Sequence, residues 1–199
     1  MPTPEEIAVW DAEAAAFDEP ADHGLHDPVV RRAWRELLLG LLPEPPARIA
    51  DLGCGTATLS LLLAEVGHQV DALDFSPRMV ELARRKTAST TSVTVREADA
   101  FDPPLAASSY DVVLCRHVLW AMPDAAVALE RWLRLLVPGG RLVLVEGRWS
   151  NGGGLSAEQT AALVEAAGLV ASLTRLDDPT YWGRAIDDDR YVVTATTAG

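Results

Sequence analysis

Short apolar blocks alternate with polar turns along almost the whole chain, and their period switches repeatedly between 3.6 and 2 residues. Ile7, Trp10, Ala14 and Phe17 recur at helical spacing in an acidic stretch, which predicts an opening helix with one apolar face. Asp27-Pro28 reads as an N-cap with proline at the first helical position. Val30, Trp34, Leu37, Leu38 and Leu41 then give a second helix its buried stripe, and Pro43 stops it. The short polar segment 20–26 between the two is expected to be a loop. Strand-like runs follow at 48–52, 69–74, 92–97, 110–115 and 141–146, separated by helical patterns. Those patterns include 58–66, a helix opened by Ser76-Pro77, and one capped by Asp124 and running to Val137, after which Pro138-Gly139-Gly140 turns the chain. A Ser156/Gln159 capping box opens the next helix and Gly168 closes it. Two last strands, about 170–176 and 190–196, flank a polar loop and can pair antiparallel. The alternation predicts an α/β fold, a seven-stranded mostly parallel sheet with an antiparallel C-terminal strand, in a single domain spanning 1–199.

Composition narrows the partners. The chain has 199 residues, 49% of them apolar, enough for one core without metals or disulfides. No run approaches the ~20 apolar residues that span a bilayer. The first turns carry Glu5, Glu6, Asp11, Glu13, Asp18 and Glu19 without a basic residue, unlike a signal peptide, so a cytoplasmic chain without membrane partners is expected. A net charge of -12, from 29 acidic against 17 basic residues, disfavours nucleic acid, whose phosphates call for a basic stripe. The one basic run, Arg84-Arg85-Lys86, falls where a helix ends and reads as a solvated last turn. Cys54 and Cys115 read as buried reduced thiols, His68 as a solvent-facing turn residue, and no acidic cluster has metal-ligand spacing.

The informative segment is Asp51-Leu52-Gly53-Cys54-Gly55-Thr56-Ala57, directly after a strand and directly before a helix. Glycines there let the backbone bend tightly and a ligand approach it. The next strand ends in Asp74, 23 residues after Asp51, where a carboxylate can accept hydrogen bonds from both ribose hydroxyls of an adenosine-bearing ligand. A nicotinamide-dependent oxidoreductase is the competing reading. Its fingerprint wants glycine or alanine where this chain has Thr58, and Asp51 would sit against a pyrophosphate of like charge.

These residues closely resemble the class I S-adenosylmethionine (SAM)-dependent methyltransferases, whose loop reads Asp/Glu-x-Gly-x-Gly-x-Gly. Here Ala57 replaces the third glycine, a small change that leaves room for the methionine part of the cofactor. The resemblance implies a doubly wound Rossmann-like sheet, with Asp74 on the ribose and Phe75 and Met79 near the adenine. It places Asp99, followed by Ala100, at the adenine amino group, and puts Asp51, Gly53, Cys54, Gly55 and Arg116 around the rest of SAM. Tyr110-Asp111-Val112-Val113 and Pro138-Gly139-Gly140 are further family features, and the match runs over about residues 47–196 in order. More weakly, the amino-terminal region resembles that of small actinobacterial-type enzymes. This implies a helical lid or substrate segment over 1–45 on a SAM-binding core over 46–199.

The acceptor side is expected just past the fourth strand, at Cys115-Arg116-His117-Val118-Leu119-Trp120-Ala121-Met122. His117 is the candidate base for a hydroxyl nucleophile, with His23 and His26 as alternatives. Trp10, Phe17, Trp120 and Met122 are candidate pocket walls. Trp182, in Thr180-Tyr181-Trp182-Gly183-Arg184, either closes the pocket from the far side or plugs the sheet edge. The segment after the fourth strand lacks the Asn/Asp-Pro-Pro-Tyr/Phe of base-amino methyltransferases, and Asp102-Pro103-Pro104-Leu105 lies too early and reads as a turn. The expected activity is methyl transfer to oxygen or nitrogen, less readily carbon, of a small molecule by a monomer or homodimer. The alternatives are a SAM-binding or adenosyl-ligand-binding regulatory protein without turnover and the nicotinamide enzyme.

Overall fold

The computed structural model describes residues 2–199. Seven strands form one sheet in the order β3-β2-β1-β4-β5-β7-β6. They are β1 (Arg48–Leu52), β2 (Gln69–Asp74), β3 (Val93–Glu97), β4 (Tyr110–Arg116), β5 (Leu136–Arg148), β6 (Ser172–Arg175) and β7 (Asp189–Thr196). β1 through β5 run parallel, whereas β7 pairs antiparallel with both β5 and β6. The strand order reverses between β1 and β4, and ligands of open α/β sheets bind in the crevice at such a switch point.

The helices are α1 (Pro4–Glu13), α2 (Ala21–Gly24), α3 (Pro28–Leu41), α4 (Thr58–Glu65), α5 (Pro77–Lys86), α6 (Ala125–Leu133) and α7 (Ala157–Ala166). Buried residues of α3 and α4, including Val30, Trp34, Leu38, Leu62 and Leu63, cover one face of the sheet with Ile49, Leu114 and Val143. α6 and α7 cover the other through Leu129, Trp132 and Val164 against Val113, Leu142 and Val193. Each apolar stripe meets the sheet because its residues repeat at the helical period. Among the described residues, no helix is long and apolar enough to cross a membrane.

The caps expected at Asp27, Ser76, Asp124 and Ser156 all form, each side chain accepting backbone N–H groups of the first turn. Four expectations fail. Segment 20–26 contains the one-turn helix α2, closed by Leu25 in the left-handed conformation. α1 ends at Glu13 and buries none of its residues, so Phe17 lies beyond it. α6 stops at Leu133, and β5 begins at Leu136, before Pro138-Gly139-Gly140. Tertiary pairing decides this last case: Leu136 pairs with Tyr110, and a register shift between Tyr110 and Val112 takes up the proline and glycines within the strand. His68 is fully buried, its Nδ1 accepting the Ala47 N–H at 3.2 Å, so the turn after Gly67 faces inward.

Candidate functional site

Backbone geometry explains the glycine turn. Gly53, Gly55 and Ala57 all have left-handed φ, at 74°, 56° and 61°, a region that costs a side-chain-bearing residue about 1 kcal/mol or more. Gly53 and Cys54 both donate to the Leu73 carbonyl at 2.8 Å, which ties the turn to the end of β2. A Cβ on Gly53 would lie 2.4 Å from Val118, and one on Gly55 would lie 2.8 Å from the Phe17 ring. The turn is thus a cradle that tolerates no side chain at either glycine.

Two buried carboxylates border it. Asp74 accepts the Gly55 N–H and the Ser76 N–H, each at 2.9 Å. Burial pushes its carboxyl upward, while these amides and that of Phe75 pull the other way. Asp51 accepts the Ser60 hydroxyl at 2.5 Å. Burial pushes it up to about 6, against the Ser60 hydrogen bond and with the help of nearby Asp74. Met79 is buried at the start of α5, Phe75 is half-buried, and Asp99 accepts the Phe101 N–H at 2.8 Å. Ala100 is buried, its carbonyl accepting from Trp132 at 2.7 Å.

The amino-terminal segment fastens over this turn. Asp11 accepts the Ser76 hydroxyl at 2.5 Å and the Arg78 N–H at 3.1 Å. Asp18 accepts the Thr56 hydroxyl at 2.6 Å and pairs with Lys86 at 2.7 Å. Lys86, the one lysine of the chain, also donates to Thr56 and Thr58. It belongs to a half-buried polar cluster, which corrects its reading as a solvated helix end. Phe17 stacks on His23 with centroids 4.6 Å apart and meets Trp10 edge-on at 6.4 Å. Phe17 therefore belongs over the glycine turn, and Trp10 remains 38% exposed on α1. Asp18→Ala removes the partner of a half-buried ammonium. It is expected to cost about 1 kcal/mol, read as a lower urea midpoint.

Past β4 a second cluster forms. Arg116 donates to the Asp22 carbonyl and carboxylate, both at 2.7 Å, and lies over Trp34 at 4.3 Å. His117 takes the left-handed φ of 58°. Its Nε2 is 3.1 Å from Arg190, which also donates to Asp188 at 2.8 Å and lies over both Trp149 and Trp182. Trp120 donates to the His117 carbonyl at 2.9 Å and sits 5.0 Å from Trp149. Burial, then Arg116 and Arg190, hold His117 well below its ordinary pKa. His23 is lowered by burial and by Arg116, with Asp22 acting against them.

Beneath this cluster lies Glu146, fully buried in β5. Its Oε1 accepts the Val118 N–H at 3.0 Å and the Leu119 N–H at 2.8 Å, and its Oε2 has no hydrogen-bond partner. Burial pushes this carboxyl up to about 8 against the two amide bonds. His117 and His23 are thus brought together, whereas His26 stays exposed at the entry to α3. Met122 packs against the α6–α7 core. Glu146, Trp149, Asp188 and Arg190 escaped the sequence reading. Only Glu146 left a signal, as a lone acid closing the apolar run Leu142-Val143-Leu144-Val145.

Residues 50–144 match the methyltransferase domain family. Those residues carry a methyltransferase domain, set in the Rossmann-like fold of the class I SAM-dependent enzymes. It is 36% identical over 121 residues to a demethylmenaquinone methyltransferase of Deinococcus radiodurans, covering 59% of this chain and 50% of that one. It is 39% identical over 102 residues to a ubiquinone biosynthesis O-methyltransferase of Xanthomonas oryzae, covering 49% and 42%. The chain spans about half the length of the curated relatives it matches. Among solved structures, a SAM-dependent methyltransferase from Aquifex aeolicus superposes with a TM-score of 0.73 at 17% identity, over 94% of this chain and 98% of that one. SAM is the cofactor of this domain, and the two-glycine cradle bordered by buried carboxylates fits a ligand carrying ribose hydroxyls and a cationic sulfur.

Proposed function

We propose that this methyltransferase transfers a methyl group from SAM to an oxygen or nitrogen nucleophile of a small molecule, carbon being the lesser alternative. The observation that carries this reading is the Asp74 carboxylate at the end of β2, bonded to Gly55 of the cradle beside the β1–β4 switch point. Asp74 holds the ribose. Asp51, Gly53, Cys54 and Gly55 form the floor under the methionine portion, and Phe75, Met79, Asp99 and Ala100 flank the adenine. Arg116 closes the floor on the acceptor side, and residues 2–45, through Phe17 and Asp18, act as the lid. When bound, the cofactor supplies an electrophilic methyl group on a sulfonium.

The chain's own residues orient the acceptor and exclude water. His117 serves this end as a positioning group. Arginine only donates hydrogen bonds, so the Nε2 facing Arg190 is an acceptor and the ring proton sits on Nδ1. An imidazole whose Nε2 lone pair is engaged, and whose pKa is depressed, is a weak base. Similarity to a demethylmenaquinone methyltransferase and to a ubiquinone biosynthesis O-methyltransferase supports a quinone-related acceptor.

Calorimetric titration with S-adenosylhomocysteine, with NAD in parallel, tests the cofactor assignment. Micromolar binding of the first alone is expected. Binding of NAD alone, or of neither, rejects the assignment.

A further inference from the structure

The second cluster has a chemistry that the methyltransferase reading does not by itself specify. Trp120, Trp149 and Trp182 gather around His117, with Trp120 at 39% exposure and Trp149 half-buried, so flat faces border the solvent at the ends of β4 and β5. Two guanidiniums stand behind these faces. Arg190 spans Trp149 and Trp182, and Arg116 lies on Trp34, which meets Trp182 edge-on at 5.7 Å. Each has a buried Nε–H without a hydrogen-bond partner, and such an unmade bond costs free energy that a ligand acceptor atom recovers. Their counter-charges, Asp22 and Asp188, each pair with one arginine and come from the short helix α2 and from the segment before β7.

A base for the nucleophile is missing from this arrangement. The Nε2 of His117 is taken by Arg190, while His23 spends Nδ1 on the Phe17 carbonyl and turns Nε2 toward Asp22. The carboxyl of Glu146 lies fully buried under the 117–119 turn. Two unmet guanidinium N–H donors beside flat aromatic walls, without a free base, suit a ligand that brings its own ionised oxygen, since a charged acceptor makes the stronger hydrogen bond. A protonated amine would leave these donors unmet, since it only donates hydrogen bonds.

We propose that the acceptor is a planar aromatic acid, a phenol or enol that enters as its anion, stacked on Trp120 and Trp149 and held by Arg190. The proposal rests on the methyltransferase reading above. Entering as the conjugate base, the acceptor has no proton for the protein to remove.

The test uses the full chain saturated with S-adenosylhomocysteine and two flat probes in calorimetry. One is 2-hydroxy-1,4-naphthoquinone, an anion at neutral pH, and the other is its neutral methyl ether. The anion is expected to bind at least about tenfold more tightly, a difference of ~1.4 kcal/mol. Arg190→Gln is expected to abolish that preference while leaving S-adenosylhomocysteine affinity unchanged. Trp120→Ala, at an exposed position, is expected to weaken both probes by about tenfold and keeps the test usable if Arg190→Gln does not fold. Equal affinity for the two probes, a preference that survives Arg190→Gln, or a Trp120→Ala variant that binds both probes like the wild type would each overturn the proposal. Failure of the cofactor reading shows separately, as absence of S-adenosylhomocysteine heat in the wild type.

Discussion

Asp74→Ala is expected to weaken S-adenosylhomocysteine binding by between about tenfold and a hundredfold. A charged acceptor's hydrogen bonds contribute roughly 1.5–3 kcal/mol, and a factor of ten is ~1.4 kcal/mol. The loss has two parts. The carboxylate proposed to meet the ribose disappears, and the Gly55 and Ser76 amides it holds at 2.9 Å lose their partner, so the cradle itself loosens. Asp74→Asn separates these parts, because its amide oxygen still accepts one of the two N–H groups while the charge is gone. It should fall between wild type and alanine in affinity and stay close to wild type in urea unfolding. Titration calorimetry on the three proteins reads the effect, and an alanine variant with undiminished affinity would remove Asp74 from the cofactor site.

The second large effect is expected at Glu146. Glu146→Leu strips the Val118 and Leu119 amides of their shared acceptor. At about 1–3 kcal/mol for each orphaned buried donor, the variant should lose roughly 2–6 kcal/mol of stability. Glu146→Gln keeps an acceptor oxygen there and should hold the turn. The wild type also carries a pH signature of definite sign. Burial raises this carboxyl from an ordinary 4.5 to about 8 in the folded protein. Between those values the folded state therefore binds more protons than the unfolded state. The contribution is fully present below about pH 4.5 and is lost as pH rises through 8. Urea midpoints at pH 5 and pH 9 should show Glu146→Gln gaining on the wild type at the higher pH. A constant difference between the two proteins across that range would show that Glu146 is ionised in the fold. Because His117, with its left-handed φ, directly precedes the clamped Val118 and Leu119, the leucine variant should also lose affinity for acceptor probes more than for S-adenosylhomocysteine.

The amino-acid sequence alone determined the strand and helix succession, because that information is local. β1 and β2 fall at 48–52 and 69–74, the residues that the apolar runs mark, and each expected cap forms because an N-cap needs only its own next three residues. The glycine cradle was legible for the same reason. Gly53, Gly55, Asp51 and Asp74 lie at the ends of adjacent parallel strands, so their spacing along the chain fixes their meeting in space.

Where long-range pairing competes with local propensity, only the tertiary structure decides. The helical pattern to Val137 yields at Leu133 because Leu136 gains a strand partner in Tyr110. His68 turns inward because the Ala47 amide needs an acceptor. The acceptor-side cluster is of this kind throughout. Asp22, Arg116, His117, Trp149, Trp182, Asp188 and Arg190 come from five segments and meet only when β7 inserts antiparallel beside β5 and the amino-terminal segment folds back over the sheet. No period or spacing within one segment encodes such a meeting. The cradle proposed for the cofactor is therefore written in one strand-turn-helix unit and its neighbour, and the cluster proposed to meet the acceptor exists only after the whole sheet has closed.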